Sequence, residues 1–304
     1  MLEGDLLVSL SIVTDSACDL PESILKAYNI HVLPFLIYID GKEYLDGVSI
    51  TTEQVFAAIR EGKVPSTGQV RLENFLQVFT QYAQEGRPCL FISVSSGFSG
   101  SHSSALLALE EVKRAYPEAP ITVVDSQSAS LGEGLIVLEA AEMAREGRPA
   151  AEIIERVQKR SQNNVEHIFS VDDLTHLYRG GRVKFTSAFL GSLLNVKPIL
   201  HVQNGACTPL HKVRGRKMAV KRIVELVQER SLGHPDQLVG VAHSQAPGLA
   251  QELAARLRDQ LGYRRFLIHE IGCSLGCHIG IGGVGALFVN SNYPQPNLTR
   301  LPET

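Results

Sequence analysis

The sequence predicts an α/β protein in two parts: an N-terminal three-layer α/β/α domain around a parallel sheet, then a C-terminal α/β domain whose mixed sheet is covered by helices. Three observations lead there. Short apolar runs of the buried-strand type, Leu6–Val13, Pro88–Ile92 and Ile121–Val124, alternate with stretches of helical spacing. Each run leads into a polar turn, Thr14-Asp15-Ser16, Ser95-Ser96 and Asp125-Ser126, so three such turns line one edge of a parallel sheet. Beyond Asn163-Asn164 the pattern changes and includes Asn204-Gly205, a two-residue hairpin signal that belongs to antiparallel strands. The expected domains are therefore residues 1–164 and 165–304.

The totals agree. A chain of 304 residues suggests roughly two domains, each large enough for its own core. With 29 Lys plus Arg against 32 Asp plus Glu there is no broad basic field, so nucleic acid and anionic lipid are not expected partners. Cys18, Cys89, Cys207, Cys273 and Cys277 form no Cys-x-x-Cys pair, and their odd count suits a reducing compartment. No apolar run reaches the ~20 residues of a membrane helix and no secretory leader is legible, so a cytoplasmic protein without stable membrane insertion is expected.

In chain order, the Thr14–Pro21 turn caps a helix beginning near Pro21. Asp15, Ser16 and Asp19 either face a ligand or serve only as caps. Ile30–Ile39 reads as one strand ending at the Asp40-Gly41 turn, and Thr51-Thr52-Glu53-Gln54 has capping-box spacing before a helix to about Arg60. Residues 62–70 have turn composition without periodicity, and an amphipathic helix spans Leu72–Gln84. Helices follow over Leu131–Arg145 and from Ala150 to Gln162.

In the second part, Ile168–Val171 reads as a strand, Asp172–Arg179 as a short helix, and Gly180-Gly181-Arg182 as a sharp turn presenting Arg179 and Arg182. A helix over Ser187–Leu194 precedes a strand from Lys197 to Val202, whose hairpin partner ends at Lys212-Val213-Arg214. Helices over Arg216–Arg230 and Pro247–Leu261 flank strands Leu238–Ala242 and Phe266–Glu270. The basic residues Lys212, Arg214, Arg216, Lys217, Lys221 and Arg222 form either a solvated face or a contact for a phosphate or acidic partner. The segment Gly272–Gly283 has too many glycines for a helix interior and suggests backbone packed closely on another surface around His278.

The chemistry concentrates at Ser93–Ala105, a strand-to-helix turn. Its first helical N–H groups lack intrahelical partners and point, with the positive end of the helix dipole, at one place. Anions collect at such ends. Gly97 and Gly100 let backbone approach a bound group, and Ser95, Ser96, Ser99 and Ser101 offer uncharged donors. A carboxylate or phosphate site and a plain serine-rich cap both fit these residues.

Taken together, Thr14-Asp15-Ser16, Pro65-Ser66-Thr67, Ser95-Ser96-Gly97-Phe98-Ser99-Gly100, Asp125-Ser126, Gly180-Gly181-Arg182, Lys197-Pro198-Ile199-Leu200, Lys212-Val213-Arg214 and Gly276-Cys277-His278 occur in an order that resembles the DegV family over nearly the whole chain. Those are bacterial two-domain proteins that bind a long-chain fatty acid. The resemblance implies that Thr67 and Ser99 hold the acyl carboxylate, with His278 acting less directly. It puts Ser96 and Gly97 in the same turn, and Arg182 and Arg214 near the carboxylate or a partner surface. It implies no metal and no catalytic residue, a fatty acid as ligand, and a separate ATP-using fatty acid kinase subunit as partner.

Three departures stand out. Gly68 replaces the usual serine after the threonine, His278-Ile279-Gly280-Ile281-Gly282 replaces a His-Thr-Gly-Pro-Gly pattern, and Phe98 stands where leucine is common. Two other functions fit parts of the sequence: a phosphosugar-binding enzyme using the serine-rich turn, and a serine esterase using Ser99, although Gly97–Ser101 is not a Gly-x-Ser-x-Gly elbow.

Overall fold

The structure is a computed structural model and describes residues 10–183 and 195–290. The start of the strand expected from Leu6 and the helix expected over Ser187–Leu194 lie outside the described residues. The first half runs β1 (Ser11–Asp15), a 3-10 turn (Ser16–Cys18), α1 (Glu22–Ala27), β2 (His31–Leu33), β3 (Leu36–Ile39), β4 (Lys42–Leu45), α2 (Thr52–Arg60) and β5 (Ser66–Gly68). It continues with α3 (Leu72–Gln84), β6 (Cys89–Ser93), α4 (Ser101–Ala115), β7 (Ile121–Asp125), α5 (Leu131–Arg145) and α6 (Ala150–Arg160). Strands β2-β1-β6-β7 form a parallel sheet in that order. Helices α3 and α4 cover one face, where Phe75 and Phe91 meet edge to face at 5.1 Å.

Two expectations for this half change. The single strand over Ile30–Ile39 is two, because Pro34 has no N–H to continue a ladder, and the halves enter different sheets. The residues read as an aperiodic loop include β5, which pairs with β3 in a small antiparallel sheet β4-β3-β5 and puts Thr67 opposite Ile37. Three residues are too few for periodicity to register. The Asp40-Gly41 turn joins β3 to β4 with both residues at positive φ, 51° and 75°, as a tight hairpin requires.

The second half contains β8 (Val165–Ser170), α7 (Thr175–Arg179), β9 (Val196–Gln203), β10 (Ala206–Arg214), α8 (Arg216–Arg230), β11 (Leu238–His243), α9 (Pro247–Leu261), β12 (Arg265–Glu270), α10 (Cys273–Ile279) and β13 (Val284–Val289). Its sheet has the order β10-β9-β8-β13-β11-β12, parallel only between β11 and β12. Helices α8 and α9 pack on one face through Val220, Ile223, Leu253 and Leu257. The glycine-rich segment, expected not to be helical, does form α10. Gly276 fits there because its missing side chain faces the Phe56 ring, where a Cβ would come within 3.2 Å of a ring carbon. The apolar run Val284–Val289, unassigned in the sequence reading, is the strand between β8 and β11.

The four-stranded and three-stranded sheets precede residue 164 and the six-stranded sheet follows it. One hydrophobic core nevertheless crosses that point. Helix α5 is wedged between β1 and β6 on one side and β8, β11 and β13 on the other, so every residue but Arg145 is buried. The carboxylate of Glu139 is paired there with Arg160 at 2.8 Å, as a charge buried on α5 must be. Helix α10, late in the chain, packs on α2 and β5 of the first half.

Candidate functional site

Between the inner face of the six-stranded sheet and the first half lies a cavity that, together with the open solvent at its mouth, holds about 1030 Å³ free of protein atoms. Its walls are largely apolar, with Phe35, Val94, Phe98, Leu177, Val202 and Leu287 contributed by five different segments. Among the described residues that line it there is no Asp or Glu, and Arg182 is the one Lys or Arg.

The polar end is built from four segments. On β5, Thr67 Oγ1 lies 2.8 Å from His278 Nε2 of α10. Ser99 precedes α4; its Oγ accepts from the Ser101 N–H at 3.1 Å and lies 3.0 Å from the Ser101 hydroxyl. In the turn after α7, Arg182 donates from Nε to the Phe98 carbonyl at 2.9 Å and from Nη1 to the Gly180 carbonyl at 2.5 Å. Gly180 is needed as glycine, since a Cβ would sit 2.3 Å from His278 Nδ1. Thr67, Ser99, His278 and Arg182 all line the cavity.

Electrostatically this end offers one cation and otherwise neutral donors. Burial, with Arg182 and His176 nearby, pushes the His278 imidazole down to about 4. It is therefore uncharged at neutral pH.

The remaining expected residues are elsewhere. Ser96 is exposed and its N–H and hydroxyl both donate to Asp125, at 3.1 and 2.5 Å, tying two sheet-edge turns together. Gly97 does permit a close approach, but to the β9–β10 hairpin: its Cβ would fall 2.3 Å from the Gly205 carbonyl oxygen, which also accepts from Ser95 Oγ at 2.7 Å. Neither residue lines the cavity, because the hairpin tip occupies that side of the turn. Gly100 likewise admits the Gln69 side chain, whose Oε1 would be 2.1 Å from a Cβ. Arg214 is exposed at the end of β10, away from the cavity walls.

Asp15 and Asp19, open to either a ligand or a capping role in the sequence, are committed to the protein. Asp15 accepts from the Ala17 and Val94 N–H groups at 3.1 and 2.9 Å. Asp19 accepts from the Gly272 N–H at 2.7 Å and from the Ser130 hydroxyl at 2.6 Å. Most of the basic residues around α8 are engaged as well: Arg216 and Lys197 share Asp172, and Arg222 bridges Glu225 and Glu229. The Ser99 hydroxyl has a serine rather than an imidazole beside it, which disfavours the esterase alternative.

The apolar walls were beyond sequence reasoning. Phe169, Val202, Cys207 and Leu287 belong to strands whose alternation looks like that of any half-buried sheet.

Comparison with known proteins places this architecture. A family model described as "Uncharacterised protein, DegV family" matches residues 9–291. A DegV domain-containing protein of Clostridium perfringens is 38% identical over 281 residues, which cover 91% of this chain and 96% of the relative. Among solved structures, a fatty-acid-binding DegV family protein of Thermus thermophilus superimposes with a TM-score of 0.85 at 30% identity, covering 93% of this chain and 100% of its own. DegV of Bacillus subtilis, a fatty acid binding protein, gives 0.81 at 29% identity, with coverage of 93% and 100%.

Proposed function

The chain belongs to the DegV family, and on that premise we propose that it binds a long-chain fatty acid in the cavity, carboxylate at the Thr67–Ser99–His278–Arg182 end. The observation that carries the reading is an apolar space closing on neutral donors and one arginine with no acid among its described lining residues. Burying about sixteen carbons at ~0.8 kcal/mol per methylene gives on the order of ten kcal/mol gross, while each charge-assisted hydrogen bond adds roughly 1.5–3. The tail sets affinity; the head sets orientation.

With a neutral imidazole whose Nε2 carries the hydrogen, His278 donates to Thr67 Oγ1 and leaves the threonine proton for the ligand. Arg182, close to Ser99 through its bond to the Phe98 carbonyl, supplies charge compensation. The protein acts as a carrier rather than an enzyme: it offers the carboxylate to a separate ATP-using fatty acid kinase subunit, and exposed Arg214 contributes to the surface met by that partner.

Native mass spectrometry of gently purified protein, followed by lipid extraction, is expected to show a fatty acid adduct. A reproducibly empty protein that also ignores added palmitate and oleate refutes the reading.

A further inference from the structure

The donor at Ser99 depends on a residue that is not itself part of the cavity wall. Ser101, the first residue of α4, is 0% exposed, and its hydroxyl oxygen makes two contacts. It accepts from the Val70 N–H at 3.1 Å and lies 3.0 Å from Ser99 Oγ.

Counting protons fixes the sense of the second contact. A hydroxyl brings one proton and two lone pairs. The Val70 bond takes a lone pair and leaves the Ser101 proton to be placed; with no exposed surface at Ser101, its one acceptor among the described residues is Ser99 Oγ. Ser101 therefore donates to Ser99. Ser99 Oγ already accepts from the Ser101 N–H at 3.1 Å, so both its lone pairs are filled from the start of α4 and its own proton is left over. Ser99 is only partly buried and lines the cavity, where an entering group can take that proton. In the reverse sense the Ser101 proton would be buried without an acceptor, which is unfavourable, and Ser99 would have nothing to donate.

The same side chain joins the two donor-bearing segments. Val70 lies three residues beyond Thr67, between β5 and α3, and its N–H is held by the start of α4. One turn further along that helix, Ser104 Oγ accepts from Gln69 Nε2 at 2.5 Å. The Thr67 strand and the Ser99 turn are thus tied to each other beside the cavity.

Resting on the fatty-acid reading above, we propose that Ser101 is a positioning residue for the ligand's carboxylate: it gives its proton to Ser99, so that Ser99 meets the head group as a donor alone. The head group this favours is one that offers acceptors, as an ionised carboxylate does on both oxygens.

The test is a double-mutant cycle on delipidated protein, Ser101→Ala, Ser99→Ala and the two together, read as palmitate affinity by calorimetric titration. Ser101→Ala is expected to weaken palmitate about five-fold where Ser99 is present, the size of one hydrogen bond, and to change nothing further in Ser99→Ala. Losing the hydroxyl also leaves the Val70 N–H unpaired, so the melting temperature is expected to fall in both backgrounds, which separates the structural role from the orienting one. Ser101→Cys, which fills nearly the same space with a weak donor, runs the same cycle if the alanine variant does not fold. Equal losses of affinity with and without Ser99, or no loss at all, overturn the proposal and leave the fatty-acid reading standing. Failure of the unsubstituted protein to bind palmitate overturns that reading and this inference with it.

Discussion

Two polar regions meet helix α10, one at its start and one near its end, and are built oppositely. Asp15 and Asp19 after β1, with Asp46 after β4, use their oxygens on donors of the protein: Ala17 and Val94, Gly272 and Ser130, Ser16 and Ser274. Those bonds stitch the chain's first half to the start of α10. At the cavity end, Thr67, Ser99, His278 and Arg182 gather donors with no acid among them. Where carboxylates stand, the donors are spent; where they are missing, an anionic group from outside is favoured. Similar-looking serine- and aspartate-rich turns thus serve cohesion in one place and binding in the other.

The largest expected effect tests the cohesive region. Asp15→Leu strands two buried N–H groups and is expected to cost about 3–5 kcal/mol in urea unfolding. An unchanged midpoint would erase the distinction between the two regions.

Next in size, Thr67→Ala combined with Ser99→Ala is expected to weaken fatty acid binding about ten- to hundred-fold, the worth of one or two hydrogen bonds to a charged group. The stability loss should be only about 1 kcal/mol, from the cap Ser99 gives the Ser101 N–H. Unaltered affinity in a titration would show that the donors lie elsewhere.

A further test of the cohesive region is a pH slope. Burial pushes Asp15 from 3.8 to about 7 and Asp19 from 3.8 to about 8, so the folded state holds protons that the unfolded chain has released. Their contribution is full below about pH 4 and is lost as pH rises toward 7–8. His167 and His278, both pushed down to about 4, act in the other sense and remove stability as pH falls below 6.5. The melting temperature of Asp19→Asn, subtracted from that of the unsubstituted protein across pH 4 to 8, isolates the acid's share. A difference that stays flat over that window would mean Asp19 is ionised in the fold.

Much of this was legible before any coordinates. The buried parallel strands, the Asp40-Gly41 and Asn204-Gly205 hairpins and the helices from α2 to α9 follow from local pattern and turn chemistry. Four residues at the polar end of the cavity were reachable because each lies in a short motif. Ser96, Gly97 and Arg214 share those motifs but not the cavity, since a motif says which residues are near one another in sequence and not which side of a turn a distant hairpin will cover.

By itself, then, the sequence determined most of the longer elements, the hairpin turns and the family, because these depend on periodicity, on φ preferences and on motif order within one chain. Only the tertiary structure decided that Gly97 receives the β9–β10 tip, that a glycine-rich segment is helical against Phe56, and that the described walls of the cavity hold no acid. Those outcomes rest on contacts between residues more than a hundred positions apart, whose free energy depends on shape and burial, properties that no local pattern carries.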